Sequence, residues 1–166
     1  MIYLEVVAKI ENSNNDSATT LYNTVGGGTG ITAYMQQIGV SGLSINPKAW
    51  GWSLISPWTM VNLLTLLNVG AILKPQDRTL ALTLLENVQA DQRVGVGDTA
   101  PVGATVAMKD GWVIGPDGLW AVNSSGIVIT WREIYIIASY TQSQPSLGAG
   151  QSTIRRTCAT VAASLG

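Results

Sequence analysis

The chain has no histidine and one cysteine among its 166 residues. Without histidine, Ser-His-Asp triads and histidine metal sites are excluded. Cys158 alone makes neither an intrachain disulfide nor a cysteine-rich metal site, and its apolar surroundings read as a buried small hydrophobe. No metal and no cofactor are therefore expected. Charge is scarce as well: 11% of residues are charged and the formal net charge is −1. A nucleic-acid surface needs clustered Lys and Arg, so none is expected. Long apolar runs are also missing. The most hydrophobic stretch, Met60 to Leu73, is broken by Asn62, Thr65, Asn68 and Gly70. It is shorter than the roughly 20 residues a membrane span requires, so it reads as a core helix. The first residues, Met1-Ile2-Tyr3-Leu4-Glu5, carry no basic region and no long apolar run, and no signal peptide is expected.

What is present is apolar residues, 46% of the total, enough for one domain with a sizeable core. Tyr3 to Glu11 has helical spacing, with Leu4, Val7 and Ala8 on one stripe. Because it begins at full stride without an N-cap, we expect the chain to start inside an element and to lack an N-terminal part. Ser13-Asn14-Asn15 interrupts it, because short polar side chains bond the local backbone. Asn15 or Asp16 can cap a second helix running to about Val25, which Gly26-Gly27-Gly28 should stop. These glycines are not a phosphate loop, since Gly30 is followed by Ile31 rather than Lys-Ser/Thr and no strand precedes them.

A short helix is expected from Ile31 to Ile38, then a Gly-, Ser- and Trp-rich loop from Val40 to Ile55. Ser56-Pro57 supplies an N-cap and first-turn pair for a helix reaching about Ala71, with Leu63, Leu64, Leu66 and Leu67 inward. Gln76 to Val88 reads as another helix, with Leu80, Leu84 and Val88 on one stripe. A polar crossover follows, from Gln89 to Gly103.

Three β-rich runs come next: one around Val106–Trp112, one over Leu119–Ile129 and one over Glu133–Thr141. Gly115-Pro116-Asp117-Gly118 is a turn signal between the first two, so the runs read as an antiparallel meander. A last helix, to Leu165, should bury Ile154, Val161 and Leu165. The fold class is α+β, with a helical block over 1–90, then a three-stranded sheet and terminal helix over 104–165, in one domain. We expect helices on one sheet face, leaving edges and the other face uncovered.

Within the first strand, Lys109-Asp110-Gly111-Trp112 ends an apolar run, and a glycine there lets a ligand approach the backbone. Ser13-Asn14-Asn15 on a helix-to-helix turn, this strand and the following Trp120-Ala121-Val122-Asn123-Ser124-Ser125-Gly126 strand together resemble the serine β-lactamase and penicillin-binding transpeptidase superfamily. The likeness is to the class A-like serine hydrolases, whose second and third motifs are Ser-Asx-Asn and Lys-Thr/Ser-Gly. It implies a small-molecule or peptide substrate, a secreted or cell-envelope location, and acyl-enzyme chemistry on an amide or β-lactam. By that resemblance Ser13 would relay a proton, Asn15 would hold the substrate amide, and Lys109 would bond Ser13 and attract a substrate carboxylate. Asp110, Gly111 and Trp112 would form the substrate edge, with the Trp112 N–H as an oxyanion donor.

Three departures stand out. The residues three before the four lysines are Val6, Ile45, Ala71 and Val106, so the chain holds no Ser-x-x-Lys nucleophile. No glutamate lies between Glu11 and Glu86, so the loop before residue 56 has no deacylating base of the class A kind. Asp110 stands where the family has Thr or Ser, and a carboxylate there would oppose an anionic substrate group.

Plainer readings stand beside these. Lys109 also fits a strand-end lysine reaching solvent, and Ser13 and Asn15 also fit helix caps. Trp50, Trp52 and Trp58 fit loop anchors as well as a cleft, whereas Trp112, Trp120 and Trp131 read as core or sheet-face residues. Asp98 and Asp117 read as turn residues without a role. Arg155 and Arg156 read as the solvated face of the last helix, with one able to reach a cleft. A non-catalytic binding or assembly module, and a chain that completes its fold by self-association or with a missing part, are the alternatives.

Overall fold

The computed structural model describes residues 2–165. Among these residues, seven α-helices and a three-stranded sheet form an α+β fold. The helices are α1 (Ile2–Asn12), α2 (Asn15–Thr24), α3 (Gly27–Gln37), α4 (Pro57–Asn68), α5 (Pro75–Glu86), α6 (Val96–Thr99) and α7 (Leu147–Leu165). A two-residue hairpin, β1 (Leu43–Ser44) with β2 (Leu54–Ile55), closes the loop between α3 and α4. The sheet is β3 (Thr105–Ile114), β4 (Trp120–Ile129) and β5 (Ile134–Gln144), in that order and antiparallel throughout. The meander is as expected, with the outer strands two or three residues longer and the middle strand one residue shorter.

Alternation along β3 builds two cores. Val106 and Met108 face one side, where they pack with Val122, Val128 and the α7 residues Ile154 and Cys158. Ala107, with Ile127, faces the other side and meets Leu64 and Leu67 of α4. Successive side chains of a strand point to opposite faces, so one strand serves both cores. Helices therefore cover both faces, not one, and the expectation of a bare face is corrected. The centre is dense: Ala107, Met108, Val122 and Ile127 are fully buried. Gly126 is part of this packing, since a Cβ there would stand 2.6 Å from Met108 Cβ.

Other expectations shift. Asn14, not Asn15 or Asp16, caps α2, its Oδ1 accepting the Ser17 N–H at 2.8 Å. The glycine run does not delay the next helix: α3 starts at Gly27, with Gly26 in the left-handed region at φ 85°. Glycine makes this possible at Gly30, where a Cβ would collide with the Val25 carbonyl oxygen. On α7 the buried stripe is Gly150, Ile154, Cys158 and Ala162, whereas Leu165 is exposed. Small side chains there let the helix lie close to the sheet, and burial pushes the Cys158 thiol up to about 11. Helix α1 buries no residue fully, and Leu4 is 69% exposed. Trp131 is 87% exposed rather than part of the sheet face.

Candidate active site

The turn between α1 and α2 and the free side of β3 face each other across a cleft of about 700 Å³. Ser13 and Asn15 line it from the turn, and Asp110, Gly111 and Trp112 line it from β3. Five of the six site residues expected from sequence thus meet around one space.

Ser13 has φ 53°, the left-handed region that an L-residue other than Asn, Asp or Gly seldom enters. Such a conformation costs about 1–3 kcal/mol and persists only where surrounding structure imposes it. Here the imposing contacts are the Asn14 cap and the Asn14 N–H bond to the Ala8 carbonyl, at 3.1 Å. The middle residue of the motif therefore holds the bend, and its neighbours on either side line the cleft.

Lys109 is the sixth expected residue, and it is occupied within the chain. Its Nζ donates to the Asp110 carbonyl at 2.9 Å, to Asp110 Oδ1 at 3.3 Å and to Gln92 Oε1 at 3.4 Å. None of these acceptors is Ser13. The Asp110 side chain is 1% exposed, so this residue borders the cleft through its backbone. Its carboxylate accepts the Val94 N–H at 3.2 Å on the α7 side of the sheet. Burial raises its pKa above the usual carboxylate range, against the opposing pull of Lys109 and the Val94 N–H.

Gly111 is exposed, and a Cβ built on it would meet nothing within 4 Å. Nothing in the packing of the protein requires glycine at this position. The open space beside it is the cleft.

The opposite wall comes from the loop over residues 46–52. Asn46 Oδ1 accepts the N–H groups of Lys48 and Ala49, both at 2.9 Å, and this bend carries Lys48, Trp50 and Trp52 to the cleft. Trp50 Nε1 donates to Thr19 Oγ1 at 3.1 Å, tying the loop to α2. Trp58, by contrast, is 71% exposed and lies outside the lining. Arg155 pairs with Asp98 and does not line the cleft, so Asp98 has a structural role that its turn-like sequence did not suggest.

Sequence reasoning did not find Lys9, Lys48, Gln92 or Asn123, which also line the cleft. Lys9 lies in the last turn of α1, four residues before Ser13, where no sequence motif marks it. Its ammonium sits 4.9 Å from the centre of the Trp50 ring. Burial, and then the charge of Lys109, lower its pKa. Among the described residues no group of His, Cys, Asp and Glu side chains could hold a metal, and no helix is long and apolar enough to cross a membrane.

Solved structures with the same fold are β-lactamases and a related protein. TLA-3 extended-spectrum beta-lactamase is 22% identical with a TM-score of 0.83, over 97% of this chain and 63% of that one. A beta-lactamase from Chitinophaga pinensis DSM 2588 is 21% identical with a TM-score of 0.84, over 98% of this chain and 64% of that one. PBP-A is 21% identical with a TM-score of 0.83, over 99% of this chain and 61% of that one. At such identities the likeness speaks for the fold alone, and this chain spans less than two thirds of each of these proteins. No curated protein sequence matches it significantly. The model of the Beta-lactamase enzyme family, however, matches residues 6–165, nearly the whole length, and the chain belongs to that family.

Proposed function

We propose that this cleft is the substrate side of a serine acyl-transfer site for an amide or β-lactam, and that the attacking serine is supplied by polypeptide outside this chain. The observation that carries the reading is the meeting of Ser13 and Asn15 with Gly111 and Trp112 around one cleft.

The chemistry runs in two stages. A serine Oγ attacks the substrate carbonyl carbon, the C–N bond breaks, and the proton lost by Oγ passes through the Ser13 hydroxyl to the leaving nitrogen. Water then adds to the ester, releasing the acid and restoring the serine hydroxyl. Asn15 holds the substrate amide, and the Trp112 N–H stabilises the oxyanion, a contribution typically worth ~10²–10³ in rate. Lys109 supports the proton relay as a hydrogen-bond donor to Ser13 while Asp110 balances its charge. For Ser13 to receive a bond from it, the ammonium exchanges the distant Gln92 acceptor for the serine hydroxyl. The buried Asp110 carboxylate does not project into the cleft, so its repulsion of an anionic substrate is weaker than the sequence suggests.

The test is penicillin labelling followed by intact mass. It compares this chain with the polypeptide read from the longest open frame through Met1. We expect no adduct on this chain, an adduct on the longer polypeptide at a Ser-x-x-Lys serine, and a large loss of labelling on Ser13→Ala. A frame with nothing ahead of Met1, or labelling indifferent to Ser13→Ala, would sink the reading.

A second reading, a non-catalytic binding module, is favoured by the intrachain partners of Lys109 and by the absence of Ser-x-x-Lys from the sequence. It predicts saturable penicillin binding without an adduct in either polypeptide.

A further inference from the structure

We infer that Lys9, seated on Trp50, is a specificity-determining contact that takes a carboxylate of the ligand in this cleft. The inference deepens the substrate reading of the same cleft, but it needs only reversible binding and no acyl chemistry.

Few of the charges around the cleft are available to a ligand. Lys9 and Lys48 are the cationic residues of the lining, and Asp110 is its only acid. The Asp110 side chain is turned into the protein, where the Val94 N–H and Lys109 use its oxygens. The accessible charge of the cleft is therefore positive. Lys109 does not supply it, because its ammonium is already neutralised within the chain.

Lys9 differs from Lys48 in how it is held. Lys48 is exposed, and a solvated, mobile ammonium gains little from one more anion. Lys9 is partly buried, and among the described residues neither a side-chain hydrogen bond nor an ion pair holds its Nζ. Its recorded partner is the face of Trp50, at 4.9 Å. A ring quadrupole replaces only part of the water an ammonium loses. The position of Lys9 in the last turn of α1, at the negative end of the helix dipole, helps it remain charged.

The lowering of the Lys9 pKa has the same origin, since its causes are burial first and the Lys109 charge second. A ligand carboxylate against the Lys9 ammonium would offset both. The cation is already partly desolvated and positioned by Trp50, so a carboxylate arriving there meets a site whose ordering cost falls on the protein beforehand. Trp50 is itself fixed by its bond to Thr19, which keeps the ammonium in place.

The probe is hippurate (N-benzoylglycine), which carries a ring, an amide and a carboxylate, compared with neutral hippuramide. Binding to this chain is read by calorimetry and by tryptophan fluorescence. We expect hippurate to bind about tenfold tighter than hippuramide, as one charge-assisted hydrogen bond allows. Lys9→Gln should abolish that preference while leaving hippuramide binding unchanged. Lys9→Arg should restore most of it, and Lys48→Gln should reduce it less than twofold or so. A preference that survives in Lys9→Gln overturns the inference, as does its loss in Lys48→Gln alone, or failure of the wild-type chain to bind hippurate at millimolar concentration. Thermal melts of each variant exclude loss of folding as the cause. Penicillin labelling of the longer polypeptide is scored separately, so failed acylation there with intact hippurate preference in this chain would reject the acyl-transfer reading and keep the Lys9 contact.

Discussion

The two walls of the cleft are built on different principles. The sheet wall, β3 and β4, stands between two cores and contains Ala107, Met108, Val122 and Ile127 with no exposure at all. The helical wall, α1 and the loop over 46–52, has no fully buried residue in α1 and is held by single bonds such as Asn14 to Ser17 and Trp50 to Thr19. Packing fixes the first wall, and local polar contacts position the second. The strained, charged and aromatic groups Ser13, Lys9 and Trp50, which line the cleft, belong to the second wall, where rearrangement costs least.

Substitutions can break or sharpen that contrast. The largest effect is expected at Met108→Ala, which removes a fully buried side chain from the sheet wall and should cost about 2–5 kcal/mol of stability. Leu4→Ala on the helical wall should change it by less than ~0.5 kcal/mol, because that side chain is mostly in water. Urea unfolding of the two variants measures the difference, and equal losses would erase the distinction.

Asp110 is next. Asp110→Ala leaves the Val94 N–H without its acceptor and should cost about 1–3 kcal/mol, whereas Asp110→Asn keeps an acceptor and should cost less. The raised pKa adds a pH signature. Folded Asp110 holds its proton at pH values where the unfolded chain, near its ordinary 3.8, has lost it. The stability from this group is therefore fully present below the unfolded value and is lost as pH rises through the folded one. Urea midpoints across the acid range should show this fall in the wild type and not in Asp110→Asn.

Ser13→Gly should raise stability by up to about 1 kcal/mol by relieving the left-handed conformation, while abolishing hydroxyl-dependent labelling. A destabilised Ser13→Gly would mean that the bend is not under strain. The smallest stability effect is expected at Gly111→Val. Its side chain would enter open space, so melting should stay nearly unchanged while penicillin or hippurate binding falls sharply. Gly126 in the neighbouring strand serves as control, since Gly126→Ala must displace Met108 and should destabilise by about 1–3 kcal/mol.

How much of this was legible beforehand varies by element. The meander, the Ser56 cap on α4 and the buried Cys158 rest on local signals: alternation, a serine before a proline, a small apolar residue among apolar neighbours. Ser56 does accept the Thr59 N–H, at 3.0 Å. Five residues that line the cleft were legible because two short motifs stood in a family's order. Lys9 and Lys48 were not, because neither belongs to a motif. Lys48 reaches the cleft on the loop that Asn46 bends, and Lys9 reaches it from the end of α1, where Trp50 of that loop lies against it. The second layer of helix over the sheet was equally hidden, since the α7 stripe uses Gly150 and Ala162 where hydrophobic periodicity directs attention to large side chains such as Leu165.

By itself, the amino-acid order determined the longer helices, the meander and their succession, because these depend on neighbours within a few residues, and composition alone excluded histidine chemistry. Tertiary structure alone decided which charges the cleft exposes. Strand alternation turned the Asp110 carboxylate inward, an intrachain pair neutralised Lys109, and the fold left Lys9 half-desolvated against an indole. Electrostatic character depends on burial and distance, and residues far apart along the chain set both.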